Sequence, residues 1–493
     1  MAFFRDSRVI LLLGVLLVAP AIIDSQPTTL GWDDAHYFHR VICVTRAVNA
    51  LDPSGLHQCL HLAVKAPLMG WMGLPWGHVV TTSQGLGLAS VSLAFFTLFA
   101  FGGIINLLLR RGVPQLVLLL ACASVGVNQL AARVAGAFLG DTLSAVLITL
   151  ILLLPLLELE GESSLPRPWV RGLVWGSLMA VAVMAKTSAG FFGITMAPFL
   201  IFLRVRRFGW NDAFRATLAM LMAASPIIFY HFFYWDEVIG HVLLSTVGPI
   251  AKYTSYNLDA AGYLTKLFGI SGIISLLLVL PIVSFMSWSW SSFRSRWIMI
   301  WPLLVLLSYL VIIAFSANHD MRYGLPVVIG LPFLLAGFTA QKKIKDFYPG
   351  SIPLLISACL VLSIPMVVRP DLRFVRDAQT ALSILPTDRS LKVLLASDDS
   401  VINIETLRLA QQLDFPRFKN FSIDTVVYDE ALGHSKEEIL TRLSEADVVI
   451  LLRSVPVREA PDWTNQMAKE VRKNLVYSRL TLSQYFEVYL LSH

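Results

Sequence analysis

Eleven times along this 493-residue chain, an apolar stretch approaches the length needed to cross the roughly 30 Å hydrocarbon core of a bilayer. Such stretches fix the class of structure before any motif is considered. Within lipid each backbone N–H and C=O must be satisfied inside its own segment, which leaves helices packed as a bundle. The pattern predicts spans at about 8–24, 79–109, 114–132, 141–157, 171–187, 189–204, 213–235, 263–287, 297–316, 323–340 and 350–368. Charge is scarce and unevenly placed. Only 15% of residues are charged, against about 25% in a soluble domain. Residues 1–370 hold 24 basic and 15 acidic side chains, whereas residues 371–493 hold 15 and 18 in a third of that length. The fold class expected is an α-helical polytopic membrane protein: a bundle of about eleven transmembrane helices over 1–370, followed by a soluble α/β domain over 371–493.

The net charge of +6 belongs with this reading rather than with nucleic acid as a partner. Fifteen Lys and Arg residues fall in one alternating set of loops, among them Arg5, Arg8, Arg110, Arg111, Arg206 and Arg207, and nine in the other. The richer set faces the cytoplasm. That puts the N-terminus inside and, with an odd number of spans, the C-terminal domain outside. The first stretch follows Arg5 and Arg8 as a signal peptide would, but no small-x-small cleavage site comes after it, so it reads as an uncleaved span. Two outer connections are long, about 24–78 and 236–262. Connections of that length in a packed protein are commonly functional.

Beyond the bundle, Leu391–Ala396, Asp424–Tyr428 and Asp447–Leu452 read as strands. Between and after them, Ile404–Leu413, Lys436–Ala446 and Thr464–Leu475 carry helical periodicity. The alternation predicts a small open α/β layer. It has no glycine-rich phosphate loop, so nucleotide binding is unsupported. Of the four cysteines, Cys122 and Cys359 fall within spans, and Cys43 and Cys59 share the first outer loop. The oxidising side of the membrane permits a bridge there, and spacing alone leaves it open.

Nine acids of the bundle fall on the outer side: Asp24, Asp33, Asp34, Asp52, Asp141, Asp236, Glu237, Asp259 and Asp320. The densest polar cluster runs from Trp32 to Arg40. On a helix, Asp33, His36, Tyr37 and Arg40 share one face while Phe38, Val41 and Ile42 take others, so the segment is expected to lie along the membrane surface. The plain reading makes Asp33 or Asp34 an N-cap. A cap does not require the clustered His, Tyr and Arg. Further along the same loop comes Lys65-Ala66-Pro67-Leu68, with Trp71 and Trp76. Alone, this lysine reads as a side chain snorkelling to headgroups.

Taken together, these pieces resemble the GT-C glycosyltransferases that use polyprenyl-phosphate sugars. The nearest in pattern are the protein O-mannosyltransferases and the bacterial aminoarabinose transferases of lipid A. Their first loop reads Asp-Glu-x-x-Tyr, like Asp33-Asp34-Ala35-His36-Tyr37, and their Lys-Pro-Pro-Leu is similar to Lys65-Ala66-Pro67-Leu68. An Arg followed by Asp at the outer end of the fourth span resembles Arg133 and Asp141, and a Leu-x-Lys-Gly-type turn resembles Met184-Ala185-Lys186-Thr187. An Arg-Tyr-x-x-Pro element matches Arg322-Tyr323-Gly324-Leu325-Pro326. The likeness covers roughly residues 1–340. The chain departs from the pattern at Asp34, where the family has Glu, at Ala66, and at His36, where the aminoarabinose transferases often carry Arg. It departs again at Val64, where an acid in those enzymes helps to hold a metal.

The resemblance implies an integral-membrane glycosyltransferase. It would move a sugar from a polyprenyl-phosphate carrier to a hydroxyl or phosphate of an extracytoplasmic lipid, glycan or protein, by inverting single displacement. Such a reaction needs a carboxylate to take the acceptor's proton and cations to meet charge on the leaving phosphate. Asp33 is the first choice of base, with Asp34 and Asp141 next. Lys65 and Arg322 are expected at the phosphate, with Tyr323, Lys186 and Arg133 beside them, and His36, Tyr37 and Arg40 supporting the base. For Arg322, a local pair with Asp320 fits the sequence equally well. No cofactor is required, and a divalent metal stays open, with His57, His61 and His241 as substitute ligands. The expected partners are the lipid-linked donor, membrane lipids and the acceptor. The expected location is a bacterial inner membrane, with the active site and C-terminal domain periplasmic. Alternatives are a lipid-linked oligosaccharide ligase or polymerase, and a transporter or flippase. The last fits less well, because polar residues cluster at span ends and no internal repeat is visible.

Overall fold

A computed structural model describes residues 6–22, 32–61, 67–82, 85–128, 139–159, 167–236, 259–269, 297–316, 320–340, 351–363, 371–397, 402–427, 434–453 and 477–491, with isolated positions between them. In chain order the helices are α1 (Ser7–Val18), α2 (Trp32–Asn49), α3 (Pro53–His61), α4 (Leu86–Arg110), α5 (Gln115–Gly126), α6 (Asp141–Leu153), α7 (Pro168–Ala185) and α8 (Gly190–Phe208). They continue as α9 (Trp210–Phe233), α10 (Ile300–Ala314), α11 (Leu325–Phe338), α12 (Ser351–Ser363), α13 (Arg373–Ser383), α14 (Ile404–Leu413) and α15 (Lys436–Ser444). The chain divides into two compact units, one of residues 1–25, 63–68 and 90–367, the other of 26–62, 69–89 and 368–493.

The first unit is a polytopic helical bundle. Six segments among the described residues are long and apolar enough to cross a membrane: Leu86–Arg110, Asp141–Glu158, Pro168–Ala185, Thr187–Phe208, Trp210–Phe233 and Met321–Phe338. The expectation of about eleven is corrected to these six. Four other apolar stretches hold the shorter helices α1, α5, α10 and α12, and most of 263–287 lies outside the described residues. The discrepancy has a backbone cause, because hydropathy counts apolar residues whatever their dihedrals. Helix α5 stops at Gly126, where any Cβ would strike the carbonyl of Leu17 in α1. Its 12 residues rise only about 18 Å, short of the hydrocarbon thickness.

Burial sorts the bundle. Helix α6 is apolar and buried on nearly every side, against α7 and α11. Helix α9 instead exposes Phe214, Leu218, Leu221, Met222, Phe229 and Phe232. Beyond Arg215 this exposed face is apolar, which suits lipid, in which burying it would gain nothing. Helices α7 and α9 approach closely because Gly172 and Gly176, one turn apart, leave room for the backbone carbonyls of Ala216 and Met220. This is the small-residue packing that replaces hydrophobic drive inside a membrane.

The second unit holds α2, α3, the turns of residues 69–81, and the C-terminal domain. Strands β1 (Leu391–Leu395), β2 (Phe421–Thr425), β3 (Val448–Leu452), β4 (Tyr477–Leu482) and β5 (Phe486–Leu491) form one sheet in the order β2-β1-β3-β5-β4. Strand β1 runs parallel to β2 and β3, and β5 runs antiparallel to β3 and β4. The three expected strands pair in parallel, and the antiparallel hairpin of β4 and β5 makes the sheet mixed. The second strand lies three residues earlier than expected. Register with β1 pairs Leu391 with Phe421 and Leu395 with Thr425, which leaves the β-branched Val426 and Val427 buried just beyond the strand end. The terminal hairpin was not anticipated. Asp377 of α13 holds its turn by accepting the backbone N–H groups of Gln484 and Tyr485 at 3.0 and 2.9 Å. Most of the helix expected over 464–475 lies outside the described residues.

Helix α2 also departs from expectation. Its apolar and polar faces are both buried from Ala35 to Ile42, so it is an interior helix of this unit and not a surface one. Cys43 and Cys59 form a disulfide between α2 and α3.

Candidate active site

In the bundle, polar side chains converge where α6 and α11 begin and α7 stops. Asp141 stands in the first turn of α6, where the helix dipole favours an acid. Lys186 ends α7: its extended backbone (φ −159°, ψ 126°) breaks the helix before the chain restarts as a short turn and α8. The two meet, Lys186 Nζ donating to Asp141 Oδ1. The same ammonium lies 4.4 Å from the centroid of the Tyr323 ring, a cation–π distance.

Tyr323 belongs to the turn Met321–Gly324 that feeds α11. Asp320 caps this turn, accepting the Arg322 backbone N–H at 3.0 Å, while Arg322 Nε and Nη2 donate to its Oδ2 at 2.8 and 2.5 Å. Burial pushes the Asp320 carboxyl up. The charge and hydrogen bonds of Arg322, aided by the charge of Lys186, outweigh it and hold the group below the usual carboxylate range. The Tyr263 hydroxyl donates to the Asp320 carbonyl at 3.5 Å, and the buried Tyr309 hydrogen-bonds Ser188 just after Lys186. Exposure gives the cluster a front and a back. Lys186 keeps 22% of its side-chain surface against 6% for Asp141, and Arg322 keeps 30% against 16% for Asp320. The cations face outward with the carboxylates behind them. Such an arrangement can receive an anion without first burying an unpaired charge.

The structure thus brings Asp141, Lys186, Arg322 and Tyr323 into one cluster. Lys65 and Arg133 lie outside the described residues. Most of the second outer loop does too, including Glu237, His241, Lys252, Tyr253 and Tyr256. Asp259 is described, and accepts the Gly262 backbone N–H at 2.7 Å.

The remaining candidates sit in the second unit, on α2. Asp33 is half-buried in the first turn, and the side chain of Asp34 lies outside the described residues. One turn on, His36 Nδ1 is 3.1 Å from Glu405 Oε2 and His39 Nδ1 is 3.6 Å from the same oxygen. Tyr37 stands edge-on to the His36 ring at 5.8 Å. Arg40 is buried and its Nη2 donates to the Leu60 carbonyl at 2.7 Å. Burial pushes the Glu405 carboxyl up, but the charge and hydrogen bond of His36, with His39 and Arg408, hold it well below the usual range. Among the described residues, no group of three or more His, Cys, Asp or Glu side chains is arranged to hold a metal. His57 is exposed, and the His61 side chain and His241 lie outside the described residues.

These two sites lie within a fold that has a solved counterpart. The crystal structure of ArnT from Cupriavidus metallidurans in the apo state matches with a TM-score of 0.53 at 13% identity, covering 96% of each chain. The chain has the ArnT fold. A second crystal structure, of the same protein bound to undecaprenyl phosphate, matches with a TM-score of 0.47 at 14% identity, again over 96% of each chain. No protein-family model matches the chain, and no curated protein does either.

Sequence reasoning did not find Tyr263, Tyr309 or Glu405. The two tyrosines stand in apolar stretches, where they look like any interface aromatic. Glu405 looks like a dipole-matched acid in the first turn of a helix. One signal was present: His36, His39 and Arg40 on a short stretch of α2 demand a partner if that helix is buried.

Proposed function

We propose that the protein is an integral-membrane glycosyltransferase that moves a sugar from a polyprenyl-phosphate carrier to an extracytoplasmic hydroxyl. The observation that supports it is the Asp141–Lys186 and Asp320–Arg322 cluster, cations in front, in a bundle of ArnT fold. ArnT is a GT-C-superfamily polyprenyl-phosphate sugar transferase. A donor of this kind is an anion on an apolar tail, and it needs cations held at helix ends. Arg322 offers a planar fork to two phosphate oxygens and Lys186 a compact charge. Lys65 and Arg133 are assigned to the same phosphate, and Tyr323 orients Lys186 through its ring.

In the reaction, the acceptor oxygen forms a bond to the anomeric carbon and the bond from that carbon to the phosphate oxygen breaks. The electron pair leaves with polyprenyl phosphate, whose charge the cations stabilise. The hydroxyl proton passes to the Asp33 carboxylate, and the anomeric centre inverts. Asp34 and Asp141 hold the acceptor and Lys186 in place. We assign the N-terminus to the cytoplasm, and the site and C-terminal domain to the periplasmic face of a bacterial inner membrane. The test is release of polyprenyl phosphate by purified protein from a panel of polyprenyl-phosphate sugars, with an envelope extract as acceptor. Turnover by wild type that Asp33→Asn abolishes is the expected result. No turnover with any donor overturns the reading, and turnover that survives Asp33→Asn moves the base elsewhere.

A further inference from the structure

We infer that the C-terminal domain is a working part of the transferase, with Glu405 a positioning residue that holds α2, and through it Asp33, in its reactive orientation. This rests on the transferase reading above. Helices α2 and α14 lie side by side and run the same way, tied at both ends. At one end Glu405 Oε2 faces His36 at 3.1 Å and His39 at 3.6 Å. At the other, Arg46 donates to the Gln412 side chain at 2.6 Å and to its carbonyl at 2.8 Å, with its guanidinium 4.4 Å from the Phe415 ring centroid.

Glu405 is itself fixed. It sits in the first turn of α14, which Asn403 and Thr406 close with a reciprocal cap, and its other oxygen takes a hydrogen bond from Arg408 at 2.9 Å. One carboxylate oxygen is thus committed to its own helix and the other to α2. The location is informative as well. In open α/β layers ligands sit at the carboxyl ends of the strands, where the strand order reverses. Here that reversal falls between β1 and β3, and α14 is the helix that follows β1. The first turn of α14, which carries Glu405, follows the carboxyl end of β1, and α2 packs along that helix.

A buried charge pair is a poor device for stability, because desolvation consumes most of its attraction. Its geometry is what an apolar contact would lack. Asp33 precedes His36 by three residues, one helical turn, so any rotation or slide of α2 that loosens His36 displaces the Asp33 carboxylate with it. A displacement of about 1 Å at a reacting group can cost on the order of 100-fold in rate.

The test uses the full-length protein and the polyprenyl phosphate release assay. It compares wild type, Glu405→Gln, Glu405→Asp and Asp33→Asn. Arg479→Gln serves as control, since it breaks a partly exposed pair with Glu487 on the distant hairpin. Glu405→Gln should lower kcat at least tenfold with the donor KM within twofold, and should raise hydrogen exchange across residues 32–49. Glu405→Asp should recover part of the lost kcat, and Arg479→Gln should match wild type. Should Glu405→Gln fail to fold, Arg46→Gln loosens the other end of the contact and is judged by the same readouts. Wild-type kcat in Glu405→Gln overturns the inference, as does a loss that tracks a lower unfolding midpoint without change in the α2 exchange pattern. If wild type turns over no donor, the transferase reading fails and the inference falls with it. If Asp33→Asn is dead and Glu405→Gln is not, only the inference fails.

Discussion

The bundle cluster around Lys186 and Arg322 and the buried triad of Glu158, Arg171 and Arg204 lie in the same unit and use the same chemistry, yet they are built to opposite ends. In the triad, Glu158 stands 3.5 Å from Arg171 and 3.2 Å from Arg204, and Arg204 also pairs with Asp212. Acid and base are equally buried there, so the charges are consumed by one another. At the Lys186–Arg322 cluster each acid is more buried than its cation, and the cations stay accessible. The difference separates polar groups that tie helices together from polar groups held ready for something else.

The largest expected effect is on the triad. Glu158→Gln leaves two buried guanidinium groups without their shared counter-charge and should cost about 3–5 kcal/mol of stability. It should be read as a lowered unfolding midpoint in detergent, with near-normal turnover by the protein that stays folded. An unchanged midpoint would remove the contrast. Lys186→Met and Arg322→Met should behave in the reverse way. Each should reduce turnover about 100- to 1,000-fold, the usual consequence of deleting one group that stabilises developing negative charge. Their midpoints should fall by less than that of Glu158→Gln, because Asp141 keeps the dipole of α6 and Asp320 keeps the backbone N–H of residue 322. If stability falls and turnover survives, the cluster is a helix-end tie like the triad.

A third experiment sharpens the comparison between units. Cys43→Ser opens a disulfide spanning 16 residues of sequence, a loop for which chain entropy gives about 3 kcal/mol. Because the bridge joins α2 to α3, the loss should appear as faster hydrogen exchange in residues 32–61, with the bundle helices unchanged. Uniform destabilisation of both units would show that they unfold as one.

Much of the bundle was legible because its constraints are local. A run such as Leu86–Arg110 or Trp210–Phe233 carries its own evidence of crossing length. Asp141, Lys186 and Arg322 were visible as rare charges at the ends of apolar stretches, though nothing in their spacing showed that they meet. What escaped was non-local. The pairing of His36 with Glu405 and of Arg46 with Gln412 joins residues more than 360 positions apart, and no window of sequence records it. The hairpin of β4 and β5 was missed for a related reason. Its strands are held by β3 and by Asp377 of α13 rather than by a glycine-rich turn, so the local code was weak. The misplaced second strand shows register with β1 overriding the preference of Val426 and Val427 for a strand.

The smallest effect expected concerns acid. Glu405 is faced by His36 and His39 from α2 and by Arg408 from its own helix, with Asp424 3.8 Å from Arg408. Despite burial, these partners hold its carboxyl well below the usual range in the folded state. A carboxyl depressed on folding adds stability that is complete above its unfolded value, near 4.5, and is lost as the pH falls from there toward the folded value. The contribution of the Glu405 carboxylate to exchange protection of α2 should therefore be complete above about pH 5. Below roughly 4.5 it should decline, with a slope of at most about 1.4 kcal/mol per pH unit for one proton. In Glu405→Gln that slope should vanish while the slope of the bundle helices stays as in wild type. A decline that persists in the variant would assign the acid sensitivity to other carboxylates. The Glu405 contact would then be a helix tie with no share in the acid response of α2.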